Sequence, residues 1–149
     1  MSEPLPFPLP DVEWETLRPF WRGAAAGELR LPHCGSCDRI HWYPVGACRR
    51  CQAAGTPYRW AAVGGTGTLH SWTVVRHAFL PELAGLVPFA PALVALDVDP
   101  DVRLVTRVVD ADVEALRIDQ PVEVTFRPMR FPGVDGDVVA PYFRPTRSR

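Results

Sequence analysis

The residues best suited to chemistry are the four cysteines, in two pairs: Cys34-Gly35-Ser36-Cys37 and, after a gap of ten residues, Cys48-Arg49-Arg50-Cys51. Two C-x2-C pairs joined by a short loop put four thiolates within reach of one tetrahedral ion, with sulfur about 2.3 Å from zinc. This is the spacing of a zinc ribbon. Two residues between cysteines close a tight knuckle whose backbone N–H groups turn inward toward sulfur and offset the charge of four thiolates around one dication. A full thiolate shell leaves no position for water, so such a metal stabilises a fold rather than catalysing. His33 and His41 flank the cysteines and are superfluous as further ligands. Asp38 and Gln52 follow the knuckles, where glycine most easily takes positive φ; Asp tolerates that backbone better than Gln. Iron in the same shell would instead make a rubredoxin-like electron-transfer site, which colour and metal analysis distinguish.

Catalytic patterns are missing elsewhere. The sequence has no G-x-S-x-G, P-loop or H-E-x-x-H, and no fifth cysteine to act as a nucleophile. Asp110, Asp112 and Glu114 cluster at an expected helix start, where capping accounts for them. His70 and His77 are seven positions apart, an odd offset, so one strand would place them on opposite faces. All 16 basic residues are arginine, which removes Schiff-base chemistry and leaves guanidinium as the side-chain cation for phosphates or carboxylates. The net charge of −1 provides no global field for a polyanion. Leu83 to Leu96, the most apolar run, is 14 residues long and carries Pro88 and Pro91, short of the roughly 20 that span a bilayer. The proline-rich start does not resemble a signal peptide. The expectation is a soluble, cytoplasmic protein with no membrane partner, in which reducing conditions favour metal ligation over disulfides.

The elements that must position the cysteines follow from pattern. At 149 residues the chain can bury roughly 68–70% of its unfolded surface, enough for one core with a ribbon attached. Proline recurs at every second position from Pro4 to Pro10, so residues 1–10 form an extended arm that is either disordered or laid on a partner by Leu5, Phe7 and Leu9. Asp11 suits the N-cap of a short helix over Val12 to Arg18, and Pro19 starts a second that runs to Gly27. Phe20 and Trp21 on that helix need a surface to bury against, in this chain or another. Leu29–Leu31, Ile40–Tyr43 and Pro57–Ala61 read as ribbon strands. Thr66–His77, Ala92–Val98, Val102–Val109, Pro121–Arg127 and Val138–Phe143 are five further β-runs, with a helical turn in Asp110–Leu116 between the third and fourth. That count and order match a five-stranded Greek-key OB barrel. The fold class is thus mainly β, with an arm and N-terminal helices over 1–28, a zinc ribbon over 29–61 and an OB-fold over 62–149. The connection from Ala78 to Phe89 carries Phe79, Leu83, Leu86 and Phe89 and is too apolar to be simply solvated.

From Pro19 to Pro145 the sequence resembles a family of small proteins that join a rubredoxin-like zinc ribbon to an OB-fold, formerly a domain of unknown function and associated with acyl-CoA enzymes. The resemblance rests on Pro19-Phe20-Trp21, Gly27-Glu28-Leu29, the four cysteines, Gly67-Thr68-Leu69, Ser71-Trp72-Thr73-Val74-Val75, the run Pro88 to Asp97, and Pro121 to Phe126. The chain departs from it in lacking glycine after the knuckles and in its proline-rich start. The resemblance implies an accessory subunit, not an enzyme, that completes a thiolase-like partner (thiolase, aldolase or acyltransferase) or an enoyl-CoA hydratase-like one within a hetero-oligomer. There it would hold or pass acyl-CoA in lipid or polyketide metabolism. Phe20, Trp21, Phe79 and Phe89 would then be partner or acyl-chain surface, and Arg76, Arg127, Arg130 and Arg144 candidates for the CoA phosphates, which guanidinium grips bidentately. Nucleic-acid binding is the alternative, since ribbons and OB-folds both serve it, but the chain has no basic bias, and Cys48-Arg49-Arg50-Cys51, its best local feature, supplies two arginines and not a groove.

Overall fold

The computed structural model describes residues 8–55 and 57–146. Its helix α1 (Arg18–Ala25) has proline in the first turn and ends in a Schellman cap, in which Gly27 donates its N–H to Ala24 and Glu28 donates to Gly23. Gly27 sits at φ +75°, a left-handed backbone that costs a Cβ-bearing residue about 1–2 kcal/mol. β1 (Arg30–Cys34) and β2 (Tyr58–Ala62) pair antiparallel, Arg30 opposite Ala62 and Cys34 opposite Tyr58. They form the stem of the ribbon. Two knuckle hairpins lie between them, marked by the bridges His33–Ile40 and Ala47–Ala54.

β3 (Thr66–Trp72), β4 (Ala90–Leu96), β5 (Asp99–Val108), β6 (Pro121–Met129) and β7 (Val138–Pro145) close a barrel in the order β3-β4-β5-β7-β6, with β6 returning to β3. All pairs are antiparallel except β5 and β7, which meet parallel at Val108 and Phe143. This is the Greek-key OB barrel. The expected helical piece between its third and fourth strands is a 3₁₀ turn, Val113–Ala115, capped by the Asp112 side chain, which accepts from the Glu114 N–H. On β4 the alternation is complete: Ala90, Ala92, Val94 and Leu96 point into the barrel. A two-stranded ribbon is marginal alone, and here it is not alone. Leu29, Leu31 and Ile40 of the ribbon share one core with Leu69, Val94, Leu104, Val122 and Phe143 of the barrel. Among the described residues no helix is long and apolar enough to cross a membrane.

Several expectations need correction. No helix covers Val12 to Arg18; the chain turns there, with the Asp11 carboxylate accepting from the Glu13 N–H. Pro19 cannot donate to the preceding turn, and a seven-residue segment is too short to nucleate by itself. Ile40 to Tyr43 is not a strand, since Trp42 and Tyr43 stack with centroids 4.5 Å apart, whereas neighbours in a strand face opposite sides. The first barrel strand stops at Trp72, and only Val75 continues it, bridging to Phe89. Phe20, expected among the partner-surface residues, is 5% exposed and packs against Trp42 at 4.6 Å, because the helix buries it against its own chain. Leu5 and Phe7 of the arm lie outside the described residues, while Leu9 is buried.

Gly67 tests the barrel closure: a Cβ there would land on the Ala95 carbonyl oxygen of the facing strand. Gly67→Ala should therefore lower stability by about 1–3 kcal/mol in thermal or urea unfolding. Gly46→Ala, where a Cβ meets open space, should stay within about 0.5 kcal/mol of the parent. Equal effects of the two would contradict this packing.

Candidate metal centre and interaction surfaces

The two knuckles are built alike. The Cys34 N–H donates to the Arg39 carbonyl and the Asp38 N–H returns to Cys34; in the second knuckle Cys48 donates to Ala53 and Gln52 returns to Cys48. In each, the residue after the second cysteine carries the turn in a left-handed backbone, Asp38 at φ 60° and Gln52 at φ 59°. Those are the two positions at which the spacing asked for positive φ without supplying glycine. The second knuckle is also clamped by Tyr58, whose hydroxyl donates to the Val45 carbonyl at 2.7 Å and accepts the Val45 N–H at 2.9 Å.

The result is one cluster. All four Sγ atoms lie within 4.8 Å of one another, with Cys34 and Cys51 at 3.8 Å and Cys37 and Cys48 at 3.6 Å. Corners of a tetrahedron whose centre is about 2.3 Å from sulfur are about 3.8 Å apart, so the donors fit zinc in type, number and spacing. His41 is buried beside them with Nε2 3.2 Å from Cys48 Sγ, a partner to the sulfur rather than a fifth ligand. His33 is also largely buried, and its Nδ1 lies 3.3 Å from the Asp38 carboxylate without the alignment of a hydrogen bond.

The surroundings polarise the thiols unequally. Backbone N–H donation from Cys51, then from Arg50, together with His41, outweighs burial and brings the Cys48 thiol down to about 5. At Cys51 the Ala53 N–H pulls downward, but burial and the neighbouring Cys48, Cys37 and Cys34 sulfurs prevail and the thiol is pushed up to about 11. A dication resolves that repulsion by holding all four as thiolates. Outside the cluster, the Arg59 guanidinium holds the Asp38 carboxyl below its ordinary range, and Arg127 does the same for Asp110.

The candidate phosphate-binding arginines are each engaged by a carboxylate. Arg76 forks onto Glu114, Arg127 pairs with Asp110, Arg130 with Asp137 and Arg144 with Glu123. The acidic cluster is accounted for in the same way: Asp110 and Glu114 are ion-pair partners and Asp112 is a cap. Phe79, in contrast, is 90% exposed and stands with Leu80 and Leu86 on the connection between β3 and β4. Phe89 is half-buried under the Arg107 guanidinium, and Trp21 is half-buried in a cleft it shares with Val12 and Val138. The sequence reading missed the cleft between ribbon and barrel, lined by Arg39, Trp42, Tyr43, Arg49, Arg50 and Asp101. The adjacent Arg49-Arg50 was its visible trace; the stacked rings were hidden inside an expected strand.

Two family models match the chain: the rubredoxin-like zinc ribbon domain of ChsH2 over residues 21–56 and the C-terminal OB-fold domain of ChsH2 over residues 60–127. A curated relative from Methanothermobacter thermautotrophicus, a DUF35 domain-containing scaffold protein, is 27% identical over 122 residues, covering 82% of this chain and 89% of its own. Among solved structures, the Ltp2-ChsH2(DUF35) aldolase superposes with a TM-score of 0.72 at 24% identity, over 88% of this chain and 94% of that one. A DUF35-family protein of unknown function from Sulfolobus solfataricus gives 0.52 at 14% identity, over 74% of this chain and 78% of that one. At these identities the two structures speak for the fold.

Zinc uptake by the metal-free chain at pH 7 should release protons. Cys51, pushed up to about 11, should contribute a full proton, and Cys48, at about 5, almost none. Because thiolates bind and thiols do not, affinity should fall as pH falls. Calorimetric zinc titration in buffers of different ionisation enthalpy counts the protons, and uptake with none released would contradict the site. Cys34→Ser or Cys48→Ser should drop zinc content well below one per chain by elemental analysis and unfold the ribbon.

Proposed function

Because the chain belongs to the family that joins a rubredoxin-like zinc ribbon to a ChsH2-type OB-fold, we propose that it is a non-catalytic accessory subunit of an acyl-CoA-processing enzyme in the cytoplasm. Its partner is a thiolase-like enzyme (thiolase, aldolase or acyltransferase), and within the hetero-oligomer the subunit helps hold or pass the acyl-CoA. The observation that carries this reading is the coexistence of a closed four-thiolate cluster with an exposed apolar connection, Phe79, Leu80 and Leu86, on the barrel. The first has no open coordination position for chemistry. The second is the kind of surface that a monomer seldom leaves uncovered when its side chains act together.

The comparisons support the same reading from outside the geometry. One relative is named a scaffold protein, and one structural neighbour is an aldolase named for a pair that includes a DUF35 component. Zinc then serves the partner indirectly by keeping the ribbon folded against the barrel. Phe79 and Leu86 supply contact area, Phe89 its margin, and the Arg76 ion pair on the same connection its rim, where rim charges mainly affect association rate. Trp21 and Arg130, beside Val138 and Asp137 at the other end of the barrel, stand apart from it.

A tagged chain purified from its native host at moderate salt should bring a thiolase-like or hydratase-like enzyme in stoichiometric amount. Phe79→Asp combined with Leu86→Asp, both at exposed positions, should leave thermal stability nearly unchanged and weaken that association about tenfold or more. Purification of the chain without any such enzyme, or full association of the double variant, would count against the proposal.

A further inference from the structure

The cleft between ribbon and barrel has a composition that none of the structural roles above explains. It encloses about 310 Å³ and is lined by three guanidiniums, Arg39, Arg49 and Arg50, against one carboxylate, Asp101. Asp101 is already paired with Arg39 at 3.1 Å, an ion pair that ties the ribbon to the start of β5. Arg49 and Arg50 have no carboxylate partner among the described residues, which is also true of Arg103, Arg107 and Arg117 but not of Arg76, Arg127, Arg130 and Arg144; what sets the two apart is that both line this one concavity. Beside them Tyr43, a residue 53% exposed, lies stacked on Trp42 at an interplanar angle of 27°. Thus one small concavity offers positive charge without a counterion and a braced aromatic face.

The geometry points to a binding site for a nucleoside phosphate in this cleft, with Arg49 and Arg50 on the phosphates and the Tyr43 ring beside the base. Guanidinium forks match phosphate oxygens, aromatic rings stack on any nucleobase, and domain junctions are where small-molecule sites form. The volume suits one nucleotide rather than a strand, and a chain with net charge −1 lacks the field that a nucleic acid tract requires. The ligand can be a free nucleotide or the phosphorylated adenosine end of coenzyme A. Only the second identification rests on the accessory acyl-CoA reading. The two arginines also lie between the ligands Cys48 and Cys51, so part of their charge opposes that of a tetrathiolate centre, and the test must separate the two roles.

Isothermal titration of the zinc-loaded chain with adenosine 3′,5′-bisphosphate, with coenzyme A and with single-stranded oligonucleotides makes that separation. The expected result is saturable one-site binding of the bisphosphate, with coenzyme A equal or tighter and oligonucleotides no tighter per site. Coenzyme A clearly tighter than the bisphosphate identifies coenzyme A as the source; equal affinity identifies nucleotide recognition alone. Arg49→Ala with Arg50→Ala should keep its zinc and weaken binding at least about tenfold, since both lose charge-assisted hydrogen bonds. If that variant gives up zinc, Tyr43→Ala decides: weakened binding supports the site and parental affinity overturns it. No saturable binding by the parent, parental affinity in a zinc-loaded arginine variant, or affinity rising with oligonucleotide length would also overturn it. A chain that recruits its enzyme yet binds no nucleotide refutes this site alone; one that binds nucleotide yet recruits no enzyme refutes the accessory role alone.

Discussion

Four sulfurs within 4.8 Å of one another are the constraint on which the ribbon depends. As thiolates they repel, and as thiols they offer little attraction, so only a cation at their centre makes the arrangement favourable. The backbone is prepared for that cation. Paired knuckles hold Asp38 and Gln52 in left-handed conformations, and the Arg50 and Cys51 N–H groups point at the Cys48 sulfur. The unequal thiols express the same preparation: backbone donation lowers the Cys48 thiol, while burial and the neighbouring sulfurs raise the Cys51 thiol.

The metal explains the tips of the ribbon, not its base. A two-stranded stem of five residues a side cannot bury enough surface to stand alone. It is instead built into the barrel's core through Leu29, Leu31 and Ile40, with Phe20 packed against Trp42 beneath them. The ribbon and barrel therefore act as one body with a cleft at their junction. The junction fixes where Arg39, Asp101 and the paired rings stand relative to the two knuckle arginines. Charge pairing follows from the same packing: Arg76, Arg127, Arg130 and Arg144 on the barrel meet nearby carboxylates, Arg107 lies over the Phe89 ring instead, and Arg49 and Arg50 on the second knuckle meet neither among the described residues.

Much of this was legible in the primary structure, for identifiable reasons. The metal site is local in sequence, with each half spanning four residues, so spacing alone specifies its geometry. The barrel strands declare themselves through alternation, as in β4, and through the turn residues between them. The order of five runs with a short helical piece leaves few topologies open. Errors arose where local pattern met a non-local partner. Apolar Phe20 read equally well as core or as interface, and Trp42-Tyr43 had the residue types of a strand without the pairing of one.

The sequence by itself determined the ligand set, the left-handed positions after each knuckle and the OB topology, because each depends on spacing or periodicity along a short stretch of chain. Only the tertiary structure decided which aromatics are buried, which arginines are already paired and where ribbon meets barrel. Those properties depend on residues distant in sequence, such as Arg39 and Asp101 or Arg76 and Glu114, whose proximity arises only when the barrel closes.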